Sequence, residues 1–200
     1  MSPSDDIAPL IRGLADADPV RREHAAAELF RRGSELARTL AAKWLADPQL
    51  ARLFVLDDSH FPETTVGLAV QPQNFDRIRA SNGSPRLADV PPDQDAREIE
   101  LHFHPRVRLD ILTSNQPDGS GAIARYLQKF GEGIQQIELL TLDVGRATDI
   151  LRERFDLEPI YPQTRAGADG TRVNFFLVPA PPGKKVLIEF VEAAAKSKGK

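Results

Sequence analysis

The chain has 200 residues, 41% hydrophobic and 28% charged, a balance typical of a soluble globular protein with one compact domain or two small ones. A net charge of -3 and a pI near 5.8 argue against a nucleic-acid-binding protein, and the absence of cysteine excludes disulfides, thiolate metal sites and cysteine nucleophiles. The sequence contains neither a signal-peptide core nor an apolar run of about 18 residues, so we expect a cytoplasmic protein that does not span a membrane.

The N-terminal part of the sequence is rich in alanine, leucine and arginine and predicts helices. Four apolar residues have the spacing of a first helix: Ile7, Leu10, Ile11 and Leu14. The letters DADP end this helix and begin a second one at Val20, with Asp18 as its N-cap. Gly33 is the predicted end of the second helix, and Ser34 begins a third helix that reaches Ala46.

These helices predict an α-helical appendage of about three helices over residues 1–56. The letters LADADPVRREHAAAELFRRG resemble one HEAT-type helical repeat. Because arrays of this kind need about three repeats to bury a core, a single repeat cannot form a solenoid. We therefore expect the segment to pack on the main domain or on a partner subunit.

From residue 61 the sequence changes to β-branched alternation, which is typical of strands. Strands are predicted at 64–70, 97–104, 106–113, 134–142, near 157–161, 171–178 and 185–191. Helices are predicted at 73–80, 122–130 and 146–155, and residues 82–95 are predicted to be mostly loop with at most one short strand. One strand, one helix and three strands thus occur twice, which predicts module one over 61–115, module two over 120–192 and a disordered tail over 193–200.

The alternation within the strands separates an apolar face from a polar face. The apolar set is expected to face the helices: Val66, Leu68, Val70, Ile99, Leu101, Phe103, Val107, Leu109, Ile111, Ile137, Leu139, Val173, Phe175, Leu177, Val186, Ile188 and Phe190. The opposite face carries Thr65, Gly67, Glu98, Glu100, His102, Arg108, Asp110, Gln136, Glu138, Arg172, Asn174 and Glu189. The pattern alone allows two interpretations, a solvent-exposed sheet face or a sheet that curls around a polar cavity.

Two stretches carry a resemblance to a known family: GSGAIARYLQKFGEGIQQIEL and GADGTRVNFFLVPAPPGKKVLIEFVE. They resemble methylmalonyl-CoA epimerases, which belong to the glyoxalase/vicinal-oxygen-chelate superfamily. The resemblance is close over about residues 120–192, loose over 62–115, and does not extend to 1–60. It implies an α+β fold of paired βαβββ modules that form a cup-shaped sheet, and it favours the cavity interpretation.

Members of this superfamily hold a divalent metal in the cup through two histidines and two Gln or Glu side chains. The resemblance places these ligands at four positions, which also correspond pairwise when the two modules are aligned: Thr65, Asp110, Gln136 and Glu189. Both histidines are therefore replaced, by Thr65 and Gln136, and the remaining donors are all oxygen atoms. Such a set suits Mg better than metals that prefer imidazole. Arg108 and Arg172 could supply positive charge instead by pairing with the acids.

We therefore expect a site without a resident metal. The alternative is a divalent ion such as Mg, Mn or Co, held by Asp110, Gln136, Glu189 and His102. His102 and His104 have H-x-H spacing, which can ligate a metal. Two histidines on a polar strand are the commoner explanation of that spacing.

Epimerase chemistry removes a proton beside a thioester carbonyl, so it needs carboxylate bases and donors for the enolate oxygen. The candidate catalytic residues are Glu189, Asp110, Glu138 and Glu100, with Glu98 as a further acid on the same face. The candidate substrate-binding residues are Gln136, Arg172, Arg108, Asn174 and Thr65.

Two functions remain open from the sequence. The first is an isomerase, epimerase or lyase that acts on a small carboxylate or an acyl-CoA thioester, which the many carboxylates favour. The alternative is a non-catalytic member that binds or sequesters a small molecule, which the loss of both histidines favours. In either case the expected partner is a small-molecule ligand, with no nucleic acid and no membrane, and a homodimer is compatible with the sequence.

Overall fold

The computed structural model describes residues 7–180 and 184–192, and the predicted tail over 193–200 lies outside them. The described helices are α1 (Ala8–Gly13), α2 (Pro19–Leu45), α3 (Pro48–Ala51), α4 (Pro72–Ser81), α5 (Ala122–Phe130) and α6 (Val144–Phe155). The described strands are β1 (Thr64–Ala69), β2 (Ala96–His104), β3 (Val107–Ser114), β4 (Gly133–Thr141), β5 (Arg165–Ala166), β6 (Arg172–Ala180) and β7 (Lys184–Glu192). No helix of these residues is long and apolar enough to cross a membrane.

The strands form a mixed sheet in the order β2-β3-β1-β4-β7-β6-β5. β1 runs parallel to β3, and β3 runs antiparallel to β2. β6 runs antiparallel to both β5 and β7. In each predicted module the first strand neighbours the last, β1 beside β3 and β4 beside β7. Parallel neighbours such as β1 and β3 need a long crossover connection, and this need explains why a helix follows β1.

The chain divides into two compact units. The first comprises Met1–Leu36 with Thr65–Ile137, and the second comprises Ala37–Thr64 with Glu138–Lys200. Each unit therefore contains part of α2 and part of β4. This division does not coincide with the predicted boundary between a helical appendage and a sheet domain.

The core of the first unit lies between helices and one face of the sheet. Strand residues with the predicted alternation form its sheet side: Val66, Leu68, Ile99, Leu101, Leu109 and Ile111, with Val70 directly after β1. Helical residues from α1, α2 and α4 pack against them: Ile11, Ala25, Ala26, Leu29, Phe75 and Ile78, with Leu14 directly after α1. The helix-facing set predicted for β1, β2 and β3 is therefore confirmed, and the N-terminal helices belong to this core. A HEAT-type repeat is not confirmed.

The predicted helix break at Gly33 is wrong, because α2 continues through Gly33 and Ser34 to Leu45. A Cβ on Gly33 would lie 2.5 Å from Cγ2 and 2.7 Å from Cγ1 of Val66 in β1. This glycine therefore does not cap a helix. It allows the helix backbone to approach the sheet closely, a reason that the local sequence does not reveal.

Gly33→Ala should lower the melting temperature, even though alanine favours a helix over glycine by about 1 kcal/mol. The added methyl group would overlap Val66, and overpacking of a well-packed core costs about 1–3 kcal/mol. Thermal denaturation followed by circular dichroism measures the difference. Ala27→Gly, at an exposed position of α2, is the control for helix propensity alone. A higher melting temperature in Gly33→Ala would contradict the close approach.

The core of the second unit is aromatic. The ring of Phe190, on β7, lies 5.7 Å from Trp44, 5.5 Å from Phe54 and 5.2 Å from Phe176, measured between ring centroids. Phe190 is fully buried. Edge-on and tilted aromatic contacts of this kind add to the stabilisation that burial provides.

The predicted faces of β6 are wrong. Phe175 is the cross-strand partner of Glu189, whereas Asn174 is the partner of Phe190. Asn174 is fully buried, and its Nδ2 donates to the Thr148 hydroxyl of α6 at 3.4 Å and to the Tyr161 carbonyl at 3.3 Å. Asn174 therefore faces the helix, and Phe175 lies on the face that was predicted to be polar.

Candidate functional site

A row of residues crosses four neighbouring strands in the first unit. Glu100 of β2 is the cross-strand partner of Asp110 on β3, and Asp110 is the register partner of Gly67 on β1. Gln136 of β4 continues the row, because its Cγ lies 2.5 Å from the position that a Cβ on Gly67 would take. We call these four residues, Glu100, Asp110, Gly67 and Gln136, the polar row.

The polar row is shielded from water at its centre. Asp110 is 4% exposed and Gln136 is 6% exposed, and Thr65, two residues before Gly67 on the same face of β1, is 9% exposed. Polar side chains on a plain solvent-facing sheet would be largely accessible. The positions that the resemblance implies as metal ligands in this unit, Thr65, Asp110 and Gln136, are thus buried polar groups. Proteins retain such groups where hydrogen bonding compensates for lost hydration.

Helix α5 covers one end of this face. Ala69 and Leu112 are register partners two residues beyond Gly67 and Asp110, so they lie on the same face of the sheet. They form a buried cluster with Ile123 and Leu127 of α5. The face is therefore apolar beneath the helix and becomes polar at the row, as expected of a site closed on one side.

Two side chains fasten the start of β4, which carries Gln136. The Tyr126 hydroxyl of α5 donates to the Ile134 carbonyl at 2.8 Å. Glu132 Oε1 accepts from the Gln71 backbone N–H and from Asn74 Nδ2, both at 2.8 Å, where α4 begins. A carboxylate at a helix N-terminus is favourable both as a cap and through the helix dipole.

Tyr126 provides a test of this packing against pH. Burial raises the pKa of the Tyr126 phenol from about 10 to about 12. Because the pKa in the folded state is the higher one, the stabilisation is fully present below about pH 10 and is lost as the pH rises towards 12. We expect the difference in unfolding free energy between the wild type and Tyr126→Phe to be constant below pH 10 and to shrink above it. Absorbance at 295 nm follows ionisation of the phenol. A transition near pH 10 that is present in the wild type and absent in Tyr126→Phe would contradict the burial of Tyr126.

The open end of the face carries charged and exposed residues. His102 Nε2 lies 2.6 Å from Glu100 Oε1, and both side chains are more than half exposed. Arg108 is the cross-strand partner of His102. The register shifts between His102 and His104, so the H-x-H spacing does not continue as a regular row.

The remaining predicted site residues belong to the second unit. Glu189, on β7, is 7% exposed and has Phe175 as its cross-strand neighbour, so its surroundings on that face include an aromatic ring. Glu138 is half-buried on β4. Arg172 Nη1 bonds the carboxylate of Glu192 at 3.2 Å. The same carboxylate accepts the Val144 N–H at the start of α6.

The structure places two of the predicted substrate-binding residues on the face opposite the one predicted for them. Phe175 lies on the same face as its partner Glu189, so Arg172 and Asn174 lie on the opposite face. Asn174 contacts α6, and Arg172 bonds the carboxylate that accepts from the N-terminus of α6. Gln136, Thr65 and Arg108 lie on the face that was predicted for them.

The resemblance implies a divalent metal, which needs several ligand side chains placed close together. Within residues 7–180 and 184–192, no group of three or more histidine or acidic side chains is placed to hold a metal ion. In the first unit the implied ligand positions supply one carboxylate, one amide and one hydroxyl: Asp110, Gln136 and Thr65. The residues do not fit the metal of the resemblance, which relies on two imidazoles, and no chemical step is assigned to a metal.

Sequence reasoning missed three contributors to this site. Gly67 was placed on the polar face without a role, and a glycine inside a β-branched strand is itself a signal of close approach. Glu132 and Tyr126 gave no periodic signal, because Glu132 accepts hydrogen bonds from Gln71 and Asn74 at the start of α4 and Tyr126 donates to the backbone of the following strand.

Comparisons with known proteins give matches among solved structures. No protein-family model and no curated protein matches the chain. Methylmalonyl-CoA epimerase from Mycobacterium tuberculosis is 28% identical, with a TM-score of 0.53, over 66% of this chain and 87% of that one. A variant of Streptomyces coelicolor methylmalonyl-CoA epimerase, in complex with 2-nitronate-propionyl-CoA, is 25% identical with a TM-score of 0.54, over 72% and 96%. The hypothetical protein BH1468 from Bacillus halodurans is 21% identical, with a TM-score of 0.53, over 68% and 96%.

These similarities confirm the predicted fold class. The chain is an α+β protein with a glyoxalase-like arrangement of strands and a helical N-terminal part, and its structural neighbours include methylmalonyl-CoA epimerases.

Proposed function

We propose that the polar face of the first unit binds a small molecule with a carbonyl beside an acidic C–H bond, as in an acyl thioester or a small carboxylate. The observation that carries this proposal is the buried carboxyl group of Asp110, the register partner of Gly67, over which the side chain of Gln136 lies. A base next to a hydrogen-bond donor is what proton removal beside a carbonyl requires. The similarity to epimerases solved with acyl-CoA compounds supports the same class of ligand.

The proposed reaction is a proton transfer at carbon. Asp110 takes the proton from the carbon beside the carbonyl, and the electron pair of the broken C–H bond moves onto the carbonyl oxygen, giving an enolate. The amide N–H of Gln136 donates a hydrogen bond to this oxygen, and Arg108 adds positive charge on the same face. Glu100, the exposed cross-strand neighbour of Asp110, exchanges the proton with water. Return of a proton to the opposite face of the same carbon gives an epimer, return to the original face gives the substrate with its hydrogen exchanged, and charge and atoms balance in both cases.

The second candidate is a non-catalytic binding protein with the same ligand class. It is favoured by the replacement of both metal-binding imidazoles of the resemblance, at Thr65 and Gln136. Without a metal or a second opposed base, stabilisation of the enolate rests on hydrogen bonds and one guanidinium. A site of that kind can hold a carbonyl compound and turn it over slowly or not at all.

One experiment separates the two candidates. The purified chain is incubated with methylmalonyl-CoA in D2O, with and without EDTA, and deuterium uptake at the α-carbon is followed by NMR while calorimetry measures binding. Exchange above the protein-free rate that EDTA does not reduce supports the catalytic proposal. Binding without exchange supports the second candidate. Exchange abolished by EDTA contradicts a metal-independent site, and the absence of both binding and exchange contradicts both candidates.

A further inference from the structure

Gly67 has no local reason to be glycine. It lies inside β1 and pairs in regular parallel register with Asp110. Glycine weakens a strand interior, and a β-branched residue would suit its backbone better. A Cβ at this position would lie 2.5 Å from Cγ and 3.3 Å from Cδ of Gln136, and 3.3 Å from Cδ1 of Leu112. The space above Gly67 is therefore occupied by the side chain of Gln136.

The direction of Gln136 follows from this contact. Neighbouring strands are about 4.8 Å apart, and β1 lies between β4, which carries Gln136, and β3, which carries Asp110. A side chain of β4 whose Cγ and Cδ lie over Gly67 reaches over β1, the strand next to β3. Any larger residue at position 67 would form a wall between the amide of Gln136 and the carboxyl group of Asp110.

We propose that Gly67 is a specificity-determining residue, because it sets the reach of Gln136 and brings the amide of Gln136 and the carboxyl group of Asp110 to one carbonyl compound. The inference rests on the proposed function. The amide N–H meets the carbonyl oxygen while the carboxylate meets the C–H bond of the adjacent carbon. The ligand class this pair selects is therefore a carbonyl compound with a hydrogen on its α-carbon. A side chain at position 67 would shorten the reach of Gln136 and separate its amide from the carboxyl group of Asp110.

The structural part of the proposal is tested by a double-mutant cycle of Gly67→Ala and Gln136→Ala. Gly67→Ala should lower the melting temperature by about 3 °C or more in the wild-type background, where the new methyl group meets Gln136. In the Gln136→Ala background, where Cγ and Cδ are absent, the same substitution should have little effect. The side-chain amide resonance of Gln136, assigned by its loss in Gln136→Ala, should shift and lose protection from exchange in Gly67→Ala.

The functional part is tested by ligand affinity. Gly67→Ala and Gln136→Ala should each weaken binding of methylmalonyl-CoA by about tenfold, the effect of one lost hydrogen bond, and the double variant should lose no more than either alone. Gly145→Ala is the matched control, because its Cβ would meet nothing closer than 3.4 Å. This variant should keep the affinity of the wild type.

Two results would overturn the proposal. The first is an equal thermal cost of Gly67→Ala in both backgrounds, which would show that Gln136 does not fill the space above Gly67. The second is wild-type affinity in Gly67→Ala. If the wild type binds no thioester, the proposed function fails by itself, and the thermal cycle with the amide resonance still decides whether Gly67 sets the reach of Gln136.

Discussion

Asp110→Asn is expected to reduce deuterium exchange at the α-carbon of methylmalonyl-CoA by about 100-fold or more, the usual contribution of a positioned general base. Asparagine has nearly the same shape as aspartate and keeps one acceptor oxygen, but it cannot accept the proton. Asp110 is buried in the polar row between Glu100 and Gly67, so water has little access to replace it as a base. The rate is measured by NMR in D2O at saturating ligand.

Asp76→Asn is the control for this experiment. Asp76 is an aspartate of the same unit, but its side chain is 63% exposed and pairs with Arg97 on the outside of α4. This variant should catalyse deuterium exchange at the α-carbon of the ligand at the wild-type rate. Calorimetry on Asp110→Asn separates catalysis from binding, because a base is needed for exchange while the ligand is still held by Gln136 and Arg108. Retention of full exchange in Asp110→Asn would show that another group is the base.

Phe190→Ala is expected to be the most destabilising single substitution considered, with a loss of about 3–5 kcal/mol in the free energy of unfolding. Phe190 is fully buried and contacts the rings of Trp44, Phe54 and Phe176. Truncation removes the ring at the centre of this cluster and leaves a cavity that the three remaining rings cannot fill by small movements.

Urea denaturation measures this loss, and the fluorescence of Trp44, the single tryptophan of the chain, reports on the same cluster. Phe130→Ala is a matched control, because Phe130 is 64% exposed and should cost less than about 1 kcal/mol. If the two substitutions cost the same, the aromatic cluster does not hold the second unit together. A selective loss of tryptophan signal in Phe190→Ala, before the circular dichroism signal, would instead show that the units unfold separately.

The polarity of a strand could be assigned from sequence only where its pattern was unambiguous. In β1, β2 and β3 apolar residues alternate with polar or small ones, and the helix-facing residues were predicted correctly. The run VNFFLV in β6 has one polar residue among apolar ones, so a period of two fits it in either phase. The cross-strand register with β7 decides the phase, and it places Asn174 towards α6 and Phe175 beside Glu189.

At the four implied metal-ligand positions, the sequence predicted residue types but not their arrangement. The resemblance implied four ligand positions, and the sequence alone predicted that residues other than histidine stand at the two imidazole positions. It could not show that the Gln136 side chain lies across Gly67 in the first unit, because that contact joins residues 69 positions apart (from 67 to 136). The chemistry of a site depends on such distances as much as on which residue types are present.

By itself, the sequence determined where most strands and helices lie and the fold class, since these depend on local alternation and on the turn residues between elements. The tertiary structure alone decided that α2 continues through Gly33, that β6 has the opposite phase, and that Glu100, Asp110, Gly67 and Gln136 form one row. The physical reason is that strand register and close backbone approach are set by packing between residues far apart in the chain. A glycine looks the same in the sequence whether it ends a helix, as predicted for Gly33, or makes room for a neighbouring side chain, as Gly33 and Gly67 do.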